Sequence, residues 1–280
     1  MREERYDAII IGSGMGGMCA GALLTHYGFK NLVVEKLPIL GGRFSTYEYK
    51  GFKLTTGAHI IRVDGVISDI FNEVGADLDV CISPEMAGYY RIEGKDIQRP
   101  PRGGLRVLIQ QASRSEEEFQ RVWKAFQRGY KWQEPSYSIS FRDWLEQYTS
   151  NRSIHGIFRG LISAMQCINY YEVPAVEFFR YFRETARYRV YGVAPRGNIT
   201  LMESLANVIR DKGGQVLTRC RVRQILVSDG SAGGVVLERD GHEIRVSSQV
   251  VVSNAGPRAT VALTGSQYFD KGYLKEMEEK

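Results

Sequence analysis

Asp7 to Arg43 reads DAIIIGSGMGGMCAGALLTHYGFKNLVVEKLPILGGR, and this run decides the fold. An apolar strand over Ala8 to Ile11 leads directly into Gly12-Ser13-Gly14-Met15-Gly16-Gly17. An alanine-rich helical stretch follows, then a second apolar strand, Asn31 to Val34, ending on Glu35 and Lys36. The glycines differ in what they do physically. Gly12 permits the tight turn, Gly14 lets main chain approach a pyrophosphate, and Gly17 lets the helix pack on the sheet. The helix start offers free N–H groups and the positive end of a dipole to phosphates. Glu35 stands 18 residues past Gly17, where an acid accepts hydrogen bonds from an adenosine ribose. A lone GxGxxG is weak, but strand, turn, helix, second strand and terminal acid together predict an α/β domain that binds an adenine dinucleotide.

Six residues past Glu35 comes Gly41-Gly42-Arg43. The paired glycines let main chain run close to a ligand, and the guanidinium suits phosphate oxygens bidentately. At this point the chain resembles the flavin-dependent amine oxidase and phytoene desaturase superfamily. The resemblance continues in Gly51-Phe52-Lys53-Leu54-Thr55-Thr56-Gly57-Ala58-His59, with Thr55 where the family pattern has aspartate. It returns in Val193-Ala194-Pro195-Arg196-Gly197-Asn198 with a helix over Leu201 to Lys212, in Cys220 to Ile225, and in Val250 to Pro257. The Val250 to Pro257 run is especially like the desaturase branch. Asn198 stands where relatives often carry a further glycine.

The resemblance implies FAD as cofactor. Gly12, Ser13, Gly14, Met15, Gly16, Gly17, Glu35, Lys36, Gly42 and Arg43 would then face its adenosine and pyrophosphate portion. Gly57 and Ala58 would lie near the isoalloxazine, Val222 would meet the adenine edge through its main chain, and Asn254 would close the site from the last strand. His59 is read either as facing the flavin or as a satisfied buried histidine. No residue stands out as catalytic acid or base. The implied fold is an α/β, FAD-type Rossmann-like domain with a mostly helical inserted substrate domain. Its first part covers residues 1–85, the insertion 86–193 and the second part 194–264, with 265–280 opening a further substrate-domain segment. The resemblance also expects a closing glycine-and-aspartate motif with its helix after Asn254. None follows in this sequence, so the expectation is that the 280-residue chain holds FAD weakly.

Three functional readings come with the resemblance. The leading one is an FAD-dependent oxidoreductase acting on an apolar, isoprenoid- or carotenoid-like small molecule. The others are a flavin amine oxidase and a non-catalytic prenyl-lipid chaperone of the same architecture. The intact glycines, Glu35 and Arg43 speak against the chaperone.

Composition bounds these readings. Hydrophobic residues make up 43% and charged residues 25%, ordinary for a globular chain. A net charge of +5 suits an anionic cofactor or a membrane surface and is too modest to argue for nucleic acid. Cys19, Cys81, Cys167 and Cys220 are scattered, with neither a C-x-x-C pair nor clustered histidines, which argues against a metal site and for reduced thiols in a cytoplasmic setting.

In the middle of the chain, Gly88 to Ile92 and Asp96 to Gln98 read as a hairpin joined by Glu93-Gly94-Lys95. Phe119, Val122, Trp123, Phe126 and Tyr130 form one helical apolar face. A helix from Pro174 through Phe178 to about Val190 combines aromatic and basic residues. It is read as a core helix with outward arginines, as the wall of an apolar tunnel, or as a peripheral membrane contact. Strands are expected over Gln215 to Thr218, Val222 to Val227, Gly234 to Glu238, His242 to Val246 and Gln249 to Val252, with Asp229-Gly230 and Asp240-Gly241 as turns.

Overall fold

The computed structural model describes residues 5–83, 89–92, 94–98, 104–131, 139–187 and 190–279. In chain order the first elements are Arg5–Ile11 (β1), Met15–His26 (α1), Asn31–Val34 (β2), Thr46–Tyr49 (β3) and Phe52–Thr55 (β4). Ile61–Arg62 (β5), Val66–Val74 (α2) and Cys81–Ser83 (β6) follow. The middle contains Tyr89–Ile92 (β7), Lys95–Gln98 (β8), Gly104–Ala112 (α3), Glu116–Tyr130 (α4), Phe141–Glu146 (α5), Arg152–Gln166 (α6) and Ala175–Arg187 (α7). The last part holds Tyr191–Val193 (β9), Ile199–Asp211 (α8), Gln215–Leu217 (β10), Arg221–Ser228 (β11) and Ser231–Arg239 (β12). His242–Ser253 (β13), Pro257–Thr264 (α9) and Lys271–Glu279 (α10) complete it.

The chain divides into two compact units, Met1–Ile82 with Val190–Lys280, and Ser83–Arg189. The first is built on a six-stranded sheet of order β10-β2-β1-β13-β12-β11. β10, β2, β1 and β13 run parallel, which needs cover on both faces. That is why β1 reads as an unbroken apolar run. Ile10 packs with Met18, Ala22, Leu205 and Ile209 on the helical face. Ile9 and Ile11 pack with Val222, Ile225, Val235 and Leu237 from the antiparallel limb on the other.

One strand expectation changes. His242 to Val246 and Gln249 to Val252 form a single strand, β13. Its first half is antiparallel to β12 and its second half parallel to β1. Ser247-Ser248, left between the two expected strands, is where the strand changes partners: Ser247 pairs with both Gly234 and Arg5. Gly234 has φ +154, and a side chain there would meet the Val246 carbonyl at 2.2 Å. The two Asp-Gly turns adopt left-handed backbone at both residues, as primed hairpin turns require.

The division of the chain also differs from the sequence reading. β9 lies within the stretch read as insertion, yet it pairs with β5 in the first unit. Residues 265–280 fall in that same unit. The expected boundary at residues 85 and 86, Gly88 and Glu93 of the hairpin, and the helix end beyond 187 lie outside the described residues.

The second unit has its own core. Phe119, Val122 and Phe126 of α4 are buried, with Trp123 and Tyr130 partly so. Phe178 and Phe179 of α7 are 2% and 0% exposed, and the Phe178 ring lies 4.1 Å from that of Phe141. The core reading of α7 therefore holds for these two rings. Among the described residues no helix is long and apolar enough to cross a membrane.

A buried carboxylate ties this unit together. Ser115 caps α4 by accepting from Glu118 N–H, and Glu118 reaches back to accept from Arg114 N–H at 2.7 Å. The same carboxylate accepts from Thr149 Oγ1 at 2.6 Å and Asn151 Nδ2 at 3.0 Å. Burial pushes the Glu118 carboxyl up, but hydrogen bonds from Arg114 N–H, Thr149 and Asn151, with the Arg114 charge, together hold it below the ordinary carboxylate range. A depressed folded value contributes stability above the ordinary pKa of about 4.3, lost as pH falls through the folded value. Glu118→Ala should cost about 1–3 kcal/mol at neutral pH, because the buried Thr149 and Asn151 side chains and the partly buried Arg114 N–H each lose an acceptor. Thermal denaturation against pH should show the gap to wild type closing below about pH 4; a gap independent of pH would refute this account.

Candidate dinucleotide site

β2 ends at Val34, and the next residue, Glu35, is 5% exposed. Its Oε2 accepts from Ser13 N–H at 2.9 Å and Ser13 Oγ at 2.7 Å, and its Oε1 from Leu37 N–H at 2.8 Å. A carboxylate offers about four acceptor positions, so three are taken by protein donors. Its main work is to brace the turn, with one acceptor position not taken by these donors. Ser13 is fully buried at 0% exposure, so its side chain serves Glu35 and is not presented to a ligand.

The glycine turn is built tightly. Gly12 has φ +96, its N–H donates to the Val34 carbonyl, and a side chain on Gly17 would meet the Gly12 carbonyl at 2.1 Å. Gly17 is thus a packing glycine. Met15 opens α1, whose N-cap is Gly14, and no side chain caps its first-turn N–H groups. Asn254 N–H donates to the Ile11 carbonyl at 2.8 Å, and its carboxamide lies along the turn. Its Nδ2 is 2.8 Å from where a side chain on Gly14 would begin, and its Oδ1 3.2 Å from that point on Gly16.

A second loop is locked to the first. Gly41 N–H donates to the Ser13 carbonyl at 2.9 Å, and Gly41 bridges Gly14. A side chain on Gly42 would begin 3.9 Å from the Gly14 Cα. Arg43 is exposed and makes no hydrogen bond or ion pair among the described residues. A cation beside the turn with no internal partner suits a phosphate. Gly57 packs on Arg43, since a side chain there would meet the Arg43 carbonyl at 2.5 Å. Thr56 Oγ1 donates to the Gly42 carbonyl and accepts from Ser45 N–H. The Ala58 carbonyl accepts from Asn198 Nδ2 at 2.6 Å. His59 is exposed, which removes the reading of a buried, satisfied histidine.

On the other side of Glu35, Arg219 N–H donates to the Leu37 carbonyl and Cys220 N–H to the Glu35 carbonyl. This brings the start of β11, with Val222, alongside Glu35 and the exposed Lys36. Val222 is 8% exposed, so it has main chain rather than side chain to offer. Pairwise contacts thus link the sequence-expected segments: the start of β11 to Glu35, Glu35 to Ser13 of the glycine turn, Asn254 and the Gly41-Gly42 loop to that turn, and Gly57 to Arg43. Sequence reasoning missed Thr46, Ser45 and Thr56, whose role arises only from cross-loop hydrogen bonds. Cys19 is buried, and burial pushes its thiol up to about 11, so it is not a nucleophile. Among the described residues no group of three or more His, Cys, Asp or Glu is placed to hold a metal.

Residues 10–74, which carry this turn and the second loop, match the NAD(P)-binding Rossmann-like domain. The phytoene desaturase (neurosporene-forming) of Rhodobacter capsulatus is 27% identical over 90% of this chain and 53% of its own length. An oxidoreductase structure from Methanosarcina mazei superposes with a TM-score of 0.77 at 26% identity, covering 97% of this chain and 64% of that one. These similarities are to FAD-dependent desaturases and oxidoreductases of the wider amine oxidase type. A cyclohexylamine oxidase from Brevibacterium oxydans shares the fold, with a TM-score of 0.69 at 18% identity, over 95% of this chain and 61% of its own. The chain spans about half the length of the curated relatives it matches.

The packing of this turn is open to a direct check. Gly17→Ala should prevent folding or cost on the order of 3 kcal/mol, because it strikes main chain. Gly14→Ala should cost less, and adding Asn254→Ala should recover part of that loss, since the obstacle is a side chain. Equal melting temperatures for the two single variants would contradict this picture.

Proposed function

We propose that this chain binds FAD and forms the cofactor-binding part of an oxidoreductase acting on an apolar small molecule of isoprenoid or carotenoid type. The observation that carries the reading is the linked series of Glu35, the glycine turn, unpaired Arg43 and Gly57-Ala58, which fits a dinucleotide with a flavin at its far end. When bound, FAD supplies the hydride acceptor for breaking a C–H bond. The protein's part is positional. Glycine-turn N–H groups and Arg43 hold phosphate charge, Glu35 braces the turn and offers its remaining acceptor position, and the Gly57–Ala58 segment sets the flavin end. The match to a desaturase at 27% identity, against 18% for the amine oxidase, supports the desaturase side. A prenyl-lipid chaperone would not need Arg43 or the open helix terminus.

Titration of the purified chain with FAD, followed by flavin absorbance and fluorescence, tests this. Arg43→Ala should weaken binding about ten- to a hundredfold, the range of a charge-assisted hydrogen bond, with a smaller difference at high salt. A wild-type chain that takes up no flavin, or an Arg43→Ala variant that binds like wild type, would remove the proposal's support.

A further inference from the structure

Asn198 stands where the resemblance expects a glycine, and the structure gives it a role. It is 2% exposed at the N-terminal end of α8, yet its side chain makes no capping hydrogen bond to that helix. Its main-chain N–H donates to Thr46 Oγ1 at 2.9 Å, and its Nδ2 donates to the Ala58 carbonyl at 2.6 Å, a contact between positions 140 residues apart. The preceding Gly197 has φ +94, and a side chain there would come within 2.8 Å of Thr46. The loop before α8 is thus pressed onto Thr46, which leaves the Asn198 carboxamide little freedom to move away.

A trans peptide points its C=O and N–H in opposite directions. Once the Ala58 carbonyl is drawn to Asn198, the His59 N–H must face the other way. That N–H has no hydrogen-bond partner among the described residues, and His59 is exposed. From the opposite side, Gly57 rests on the Arg43 carbonyl and Thr56 is held by Gly42 and Ser45. We propose that Asn198 is a positioning residue, which fixes the orientation of the Ala58–His59 peptide so that its N–H is presented to the flavin end of the site. This rests on the FAD reading above.

Two variants test it. Asn198→Ala removes the donor. Asn198→Asp keeps the size and suits a helix N-terminus, but sets a carboxylate oxygen against the Ala58 carbonyl. Hydrogen–deuterium exchange of residues 57–60 in the flavin-free chain should speed up in both. FAD binding should weaken on the order of three- to tenfold in the alanine variant, the worth of one neutral hydrogen bond, and at least as much in the aspartate variant. A residue acting only through α8 would tolerate aspartate. FAD affinity at the wild-type level in Asn198→Asp, or unchanged exchange at 57–60 in Asn198→Ala, would overturn the proposal. A wild-type chain that binds no FAD would instead sink the flavin reading, and the exchange measurement alone would then decide whether Asn198 holds the segment.

Discussion

The hydrogen bonds between Ser13 and Glu35 are the constraint on which the architecture around the glycine turn rests. A carboxylate that is 5% exposed requires donors, and an N–H in a tight turn after a strand requires an acceptor; each solves the other's problem. The consequence reaches beyond the pair. The Ser13 carbonyl accepts from Gly41 N–H, and the Glu35 carbonyl from Cys220 N–H, so the ends of β1 and β2, the Gly-Gly-Arg loop and the approach to β11 share one network. Preorganisation of this kind spares a ligand the cost of ordering the loops around it.

The two units solve their packing in different ways. The first buries both faces of a largely parallel sheet with aliphatic side chains and keeps its polar main chain for strand ends. The second builds an aromatic core around Phe126, Phe141, Phe158 and Phe178, and uses Gly129 to admit the Phe179 ring, which would lie 2.3 Å from any side chain there. Its polar network around Glu118 occupies helix ends, where unsatisfied N–H groups collect.

The fold class, β1, α1, β2 and both Asp-Gly turns were legible because they depend on local rules: apolar runs, glycine at positive φ, an acid at a strand tip. The glycine turn was legible for the same reason, since Gly12 and Gly17 act where they stand in the chain. What was hidden depends on partners far away in sequence. Ser13 looks like any small polar turn residue until Glu35 closes over it. Asn198 looks like a loss of glycine until Ala58 appears at 2.6 Å. Ser247 and Ser248 look like a gap between two strands because hydropathy cannot show a strand exchanging one neighbour for another.

The dual pairing of β13 also dictates an order of assembly. β1 has β2 for a neighbour early, but its other edge waits for residues 247–253, and the Gln249 amide reaches Asp7 across 242 positions. Loop closure over such a span is slow, whereas the helices between them contact near neighbours. During synthesis the aromatic core of the middle unit is complete before the sheet can close. Until then the Ile9–Ile11 edge stands unpaired, and it is at this stage of biogenesis that the polypeptide is most vulnerable to self-association.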